Sequence, residues 1–160
     1  MRAVRIPAEI EELAKHTVNA ALSVHRALGP GLLESAYQQC MAIELTANGL
    51  LVEREKILPL VYRGHQIETA FRLDLIVGGK LLVELKAVEA VAAVHEVQVV
   101  TYLKLLKLPL GLLINFNVPL IKNGIARILN LDFQTEVSAP PFETPGRENA
   151  KVRSLSSVRP

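Results

Sequence analysis

The chain has 160 residues, half of them hydrophobic, a formal net charge of +2 and a single cysteine, Cys40. That length suits one domain with a sizeable core; the lone cysteine excludes an intrachain disulfide, and so weak a positive charge permits contact with a polyanion without demanding it. No run reaches the ~18 apolar residues of a membrane span, and the N-terminal MRAVRIPAEIEELAKH lacks the apolar stretch of a secretion signal, so the expectation is a cytoplasmic protein with no membrane partner.

Ile10, Leu13, Ala14, Val18, Ala21, Leu22, Val24 and Leu28 recur at helical spacing and predict a first helix over 8–28. Pro7, Glu9, Glu11 and Glu12 suit its N-terminal end. Gly29-Pro30-Gly31 stops it, and a second helix follows over 32–47, punctuated by Asn48-Gly49. Residues 51–63 and 65–77 read as a long antiparallel hairpin turning at Arg63-Gly64-His65, with Pro59 marking a bulge or an edge position. Gly78-Gly79 leads into a third strand over 80–87. A third helix over 90–108 precedes LGLLINFN (110–117), apolar enough for a strand covered on both faces, and a short edge strand over 124–129. After Leu131, Pro, Ser, Glu and Arg dominate, so residues 1–131 are expected to form the domain and 132–160 a tail that is mobile or held by a partner. This order predicts an α/β fold, a central mixed sheet of four or five strands flanked by helices.

Within FRLDLIVGGKLLVELK, Asp74, Glu84 and Lys86 interrupt runs of Leu, Ile and Val where a core strand excludes charge. Glu84 and Lys86 are two apart and share a strand face. Asp74 joins that face only if the Gly78-Gly79 connection is a three-residue loop or carries a bulge, because a two-residue turn would pair Asp74 with Val83; Gly79 is available for the left-handed position of such a loop. Two converging carboxylates suit a hard divalent cation, Mg²⁺ or Mn²⁺, with Lys86 placed to orient an attacking water or to stabilise charge on phosphorus oxygens. The bland alternative is a structural ion cluster of Asp74, Glu84 and Lys86 that binds nothing. His95, Gln98 and Tyr102 fall at i, i+3 and i+7 of the third helix, a polar stripe that faces either solvent or the strand of Glu84, where Gln98 would orient a water or a phosphate and Tyr102 would support it. Glu34 near the start of the second helix and Tyr37 one turn on have equally ordinary readings, as a first-turn acid and a packed aromatic. The four histidines show no zinc spacing and read as surface or peripheral residues, His95 excepted; Cys40 reads as a small core residue.

Gly31-Leu32-Leu33-Glu34-Ser35-Ala36-Tyr37, then Arg72-Leu73-Asp74, Glu84-Leu85-Lys86 and Gln98 with Tyr102-Leu103 occur in an order that resembles the GxxExxY proteins, a branch of the PD-(D/E)XK nuclease superfamily, from about Ile10 to Leu131. The resemblance implies a restriction-endonuclease-like core over 1–131. It implies metal ligation by Asp74 and Glu84 with help from Glu34, a catalytic Lys86 and an assisting Gln98. A metal-dependent nuclease acting on DNA or RNA without sequence preference is therefore expected. The competing readings are a catalytically silent interaction or regulatory module, and a metal-dependent binder of small phosphorylated ligands. Arg54, Lys56, Arg63, Arg72, Lys104 and Lys107 could supply a basic rim, although scattered cations are ordinary surface, and exposed strand edges would allow a homodimer.

Overall fold

The computed structural model describes residues 4–133; the expected tail over 132–160 therefore lies almost wholly outside the described residues. Helix α1 (Ala8–Leu28) buries Ile10, Ala14, Ala21 and Val24 of the predicted stripe together with Thr17 and Ala20; Leu13, Val18 and Leu22 pack only partly buried at its margin, and Leu28 is exposed. Acids stand in its first turn and Arg26 in its last, each complementing the macrodipole. Gly29 ends it at φ 66°, a conformation that glycine adopts without Cβ strain.

Helix α2 (Glu34–Ala47) begins two residues later than the sequence predicts, because Leu33 is still extended (φ −65°, ψ 146°). The turn before it is held from inside. The Tyr37 hydroxyl donates to the Gly29 carbonyl at 2.5 Å and accepts from the Leu32 N–H at 3.2 Å, while its ring stacks on Phe116 with centroids 4.3 Å apart. Tyr37 is fully buried, so these bonds satisfy a hydroxyl that would otherwise be costly there.

Five strands form one sheet in the order β1-β2-β3-β4-β5: β1 (Val52–Tyr62), β2 (His65–Val77), β3 (Leu81–Lys86), β4 (Leu110–Asn115) and β5 (Ile125–Leu129). β3 and β4 are parallel, joined across the sheet face by α3 (Ala93–Leu106), and every other pair is antiparallel. The sheet is mixed, as expected. At Pro59, which has no N–H to give the ladder, the β1–β2 register shifts between Leu58 and Leu60. Pro59 and a left-handed Glu55 both interrupt β1, an arrangement that blunts this edge against pairing with another strand.

The sheet separates two apolar cores. α1 and α2 cover one face through Leu75, Val77, Leu81, Val83, Leu85, Leu112 and Ile114; α3 covers the other through Leu73, Ile76, Leu82 and Leu113. β3 and β4 are thereby buried on both faces, which is why their sequences are nearly unbroken Leu, Val and Ile. Truncating any of these leucines to alanine removes roughly 2–5 kcal/mol of stability.

Two local differences from the sequence reading have simple causes. α3 starts at Ala93, since Asn115 at the end of β4 holds Val88 by its backbone, accepting from the N–H at 3.1 Å and donating to the carbonyl at 2.9 Å. His95 accepts the Ala92 N–H through Nδ1 at 3.1 Å and so caps that helix; the stripe toward the sheet consists of Gln98 and Tyr102 without it. His25 is not at the surface: it is buried with Nε2 at 2.8 Å from the Val118 carbonyl. Cys40 is half-buried, packed at the margin of the α1–α2 core, and free.

Candidate active site

The β2–β3 connection decides whether the charges meet. Val77 pairs with Leu81, Ile76 with Leu82 and Leu75 with Val83, so the loop is the three residues Gly78-Gly79-Lys80, with Gly78 at φ 60° and Gly79 at φ 68°. This parity sets Asp74 level with Glu84. The ladder itself stops at Leu75 and Val83, and the Asp74 carboxylate replaces the next backbone bond by accepting the Leu85 N–H through Oδ2 at 2.8 Å.

The β2 strand turns over at this point. Residues two apart on a strand normally share a face, yet Leu73 belongs to the α3 core and Leu75 to the α1–α2 core. Opposite Asp74 on β1, between the Arg54–Leu75 and Lys56–Leu73 pairs, Glu55 has φ 51°, a left-handed conformation uncommon for a residue with a side chain. The twist brings the Asp74 carboxylate to the mouth of the sheet beside Glu84 and toward α2. Gln38, on the buried side of α2, donates through Nε2 to both Oδ1 and the backbone carbonyl of Asp74 at 3.3 Å.

Glu84 is 3 % exposed, and Lys86 donates to its Oε1 at 3.2 Å. Its other oxygen, Oε2, is buried with no hydrogen-bond partner among the described residues. Burial and then the neighbouring Asp74 charge push the Glu84 carboxyl up to about 7, against the opposing pull of Lys86. Burial likewise raises Asp74, helped by the charge of Glu34 and opposed by its bond from Leu85. Burial alone would depress the Lys86 ammonium, but the charges of Glu84, Glu34 and Asp74 together lift it above its ordinary value. Lys86 is therefore a fixed cation. The Tyr102 hydroxyl is held up by burial and then by the Glu84 charge, which places it at the edge of the same cluster. Gln98 donates to that hydroxyl at 2.6 Å, and Phe71 of β2 packs edge-on against the Tyr102 ring at 5.4 Å.

The structure thus gathers Asp74, Glu84 and Lys86 into one cluster of charge with Gln98 and Tyr102 alongside. Glu34, the first residue of α2, is half-buried and within electrostatic reach of Asp74 and Lys86, but it stands off from the pair: among the described residues no three His, Cys, Asp or Glu side chains converge into a cage. Gln38 is the residue that sequence reading passed over. It lies one helical turn beyond Glu34, the spacing that puts both on one side of α2.

A buried carboxylate oxygen without a donor, next to a second raised carboxylate, is costly as it stands. It fits a hard divalent cation, whose coordination by oxygen would satisfy Glu84 Oε2 and relieve the repulsion between Asp74 and Glu84 at once. The family model of the PD-(D/E)XK nuclease superfamily matches residues 11–128. No curated protein and no solved structure matches the chain. With a match that runs from α1 through β5 and takes in every strand carrying the acidic pair, the chain belongs to the PD-(D/E)XK nuclease superfamily.

Proposed function

We propose that the protein is a metal-dependent nuclease that hydrolyses phosphodiester bonds of DNA or RNA, and that it falls in the GxxExxY branch its motifs resemble. The observation that carries the reading is the buried Oε2 of Glu84, unpartnered among the described residues, beside Asp74. Asp74 and Glu84 would hold Mg²⁺ or Mn²⁺, with Glu34 as a further oxygen donor from α2. When bound there, such a cation would supply positive charge to neutralise the phosphodiester and to acidify an attacking water.

The chain's own groups do the rest. Lys86, fixed by Glu84 and kept protonated, orients the attacking water and stabilises the negative charge that grows on the phosphorus oxygens. Tyr102 supports Gln98 by accepting one of its N–H bonds, and the other N–H of that amide is left to hold the water or a phosphate oxygen. Apolar walls from Leu73, Leu82 and Phe71 keep bulk water from screening these interactions.

The second reading, an interaction or regulatory module that turns nothing over, is favoured by one observation: Glu34 does not complete a three-ligand cage. Calorimetry with Mg²⁺ and Mn²⁺ on the wild type and Asp74→Ala, with cleavage of single- and double-stranded DNA and RNA assayed on the same samples, separates the two. Binding and cleavage that both vanish in the variant support the nuclease. Binding without cleavage of any of the four substrates supports the silent module or a binder of small phosphorylated ligands. A wild type that binds neither metal leaves Asp74, Glu84 and Lys86 as a structural ion cluster.

A further inference from the structure

Gln38 is 7 % exposed, in the middle of α2, with its amide turned to the sheet. A buried amide needs partners, and both of its acceptors belong to one residue: the Oδ1 and the backbone carbonyl of Asp74, each at 3.3 Å. Because both partners are acceptors, the side-chain nitrogen must face them, which fixes the sense of the amide.

The backbone explains why a side chain is needed there. Asp74 lies where the β2–β3 ladder has ended and where β1 is kinked at Glu55, so its carbonyl stands outside the regular pairing and Gln38 satisfies it. The carboxylate meanwhile accepts one donor on each oxygen, Gln38 on Oδ1 and the Leu85 N–H on Oδ2. These donors come from two different elements, α2 and β3, and together they fix the carboxylate plane. Both are neutral. They leave the negative charge of Asp74 intact and one lone pair free on each oxygen, whereas a lysine or arginine in Gln38's place would cancel the charge that attracts a cation.

We propose that Gln38 is a positioning residue for Asp74, clamping the carboxylate from α2 in the orientation in which it ligates a divalent cation. The proposal rests on the reading of Asp74 as a metal ligand. Helix α2 then sets two carboxylates at once, because the face that carries Glu34 toward the site is the face that docks Gln38 onto the ligand strand.

The test uses Gln38→Met, which keeps length and volume and removes the donor, with Gln39→Met as a control, since Gln39 is exposed and, among the described residues, bonds only the Ser35 carbonyl of its own helix. Two readouts are taken on each full-length protein: Mn²⁺ affinity by calorimetry, and hydrogen exchange of the Leu85 amide, which reports whether Asp74 still holds it. We expect Mn²⁺ binding weakened by about 10- to 100-fold in Gln38→Met, as for other residues that orient a ligand, faster Leu85 exchange, and neither change in Gln39→Met. Binding within twofold of the wild type overturns the proposal. If the wild type binds no Mn²⁺, the metal reading fails by itself, and Leu85 exchange then decides: unchanged protection in folded Gln38→Met overturns the clamp, and lost protection upholds it as a positioning device for Asp74. Should Gln38→Met not fold, the Gln38 side-chain amide resonances answer the same question in the wild-type background, because Asp74→Asn must shift them; an unmoved pair overturns the assignment.

Discussion

Glu84 concentrates the cost of the site in one side chain. Its carboxyl is raised to about 7 by burial and by Asp74, so in the absence of metal the folded protein prefers it protonated while the unfolded chain, with an ordinary glutamate near 4.5, does not. The native state therefore holds more protons between those two values, and stability falls as pH rises through that window, by up to about 3 kcal/mol from this group. Melting in EDTA is expected to show a higher Tm at pH 5.5 than at pH 8, with the difference shrinking in Glu84→Gln and that variant more stable than the wild type at pH 8. A wild-type Tm that does not fall between those pH values would mean that Glu84 is solvated or otherwise neutralised. Asp74, Glu84 and Lys86 were legible in the sequence because charges inside Leu, Ile and Val runs are conspicuous. Gln38 was not, since a glutamine in an amphipathic helix looks like surface until a partner thirty-six residues away is known to lie beneath it.

At the scale of elements, a single loop length determines whether a site exists. The three-residue connection Gly78-Gly79-Lys80 sets Asp74 level with Glu84; shortening it by one residue would shift the pairing and turn one of the two carboxylates to the opposite face. Deleting Lys80 is expected to abolish Mn²⁺ binding even if the chain still folds, with calorimetry on the deletion as the check. The two glycines differ in what they tolerate. Both sit in the left-handed region, a strain of about 1 kcal/mol for alanine, but only at Gly78 would the new Cβ lie 2.9 Å from the Leu13 side chain of α1. Urea unfolding should accordingly find Gly78→Ala less stable than Gly79→Ala, and equal values would show that Leu13 yields without cost. The helices and strands themselves followed from apolar periodicity, and the three-residue loop from the parity of a face that must hold both acids. The start of α3 escaped the sequence because it depends on Asn115, a residue of another element that reaches back to hold Val88. The turn-over of β2 at Asp74 escaped it for the same kind of reason: it shows only in which core Leu73 and Leu75 enter.

The whole molecule places this acidic cluster in a body with little long-range attraction for a polyanion. The chain carries a net charge of only +2, and Lys56, Arg72, Lys80, Lys86, Lys104 and Arg127 each lie within 4.0 Å of a carboxylate. Cations engaged in this way must give up a partner before they neutralise a phosphate. Binding of DNA or RNA should then depend mainly on the divalent cation and Lys86 at one or two phosphates, and not on a basic groove that tracks the strand. Each phosphate neutralised contributes roughly 0.9 to the slope of log affinity against log salt on duplex DNA. The expected slope is therefore shallow, about −1 to −2, when affinity for a duplex oligonucleotide is measured in Ca²⁺ between 50 and 200 mM salt. Affinity should fall by far more on adding EDTA than on raising the salt. A slope of about −6 or steeper, or binding that survives EDTA, would show that an extended basic surface holds the polymer. The central role given to the site in substrate binding would then be wrong, although its role in hydrolysis would still be decided by Asp74→Ala.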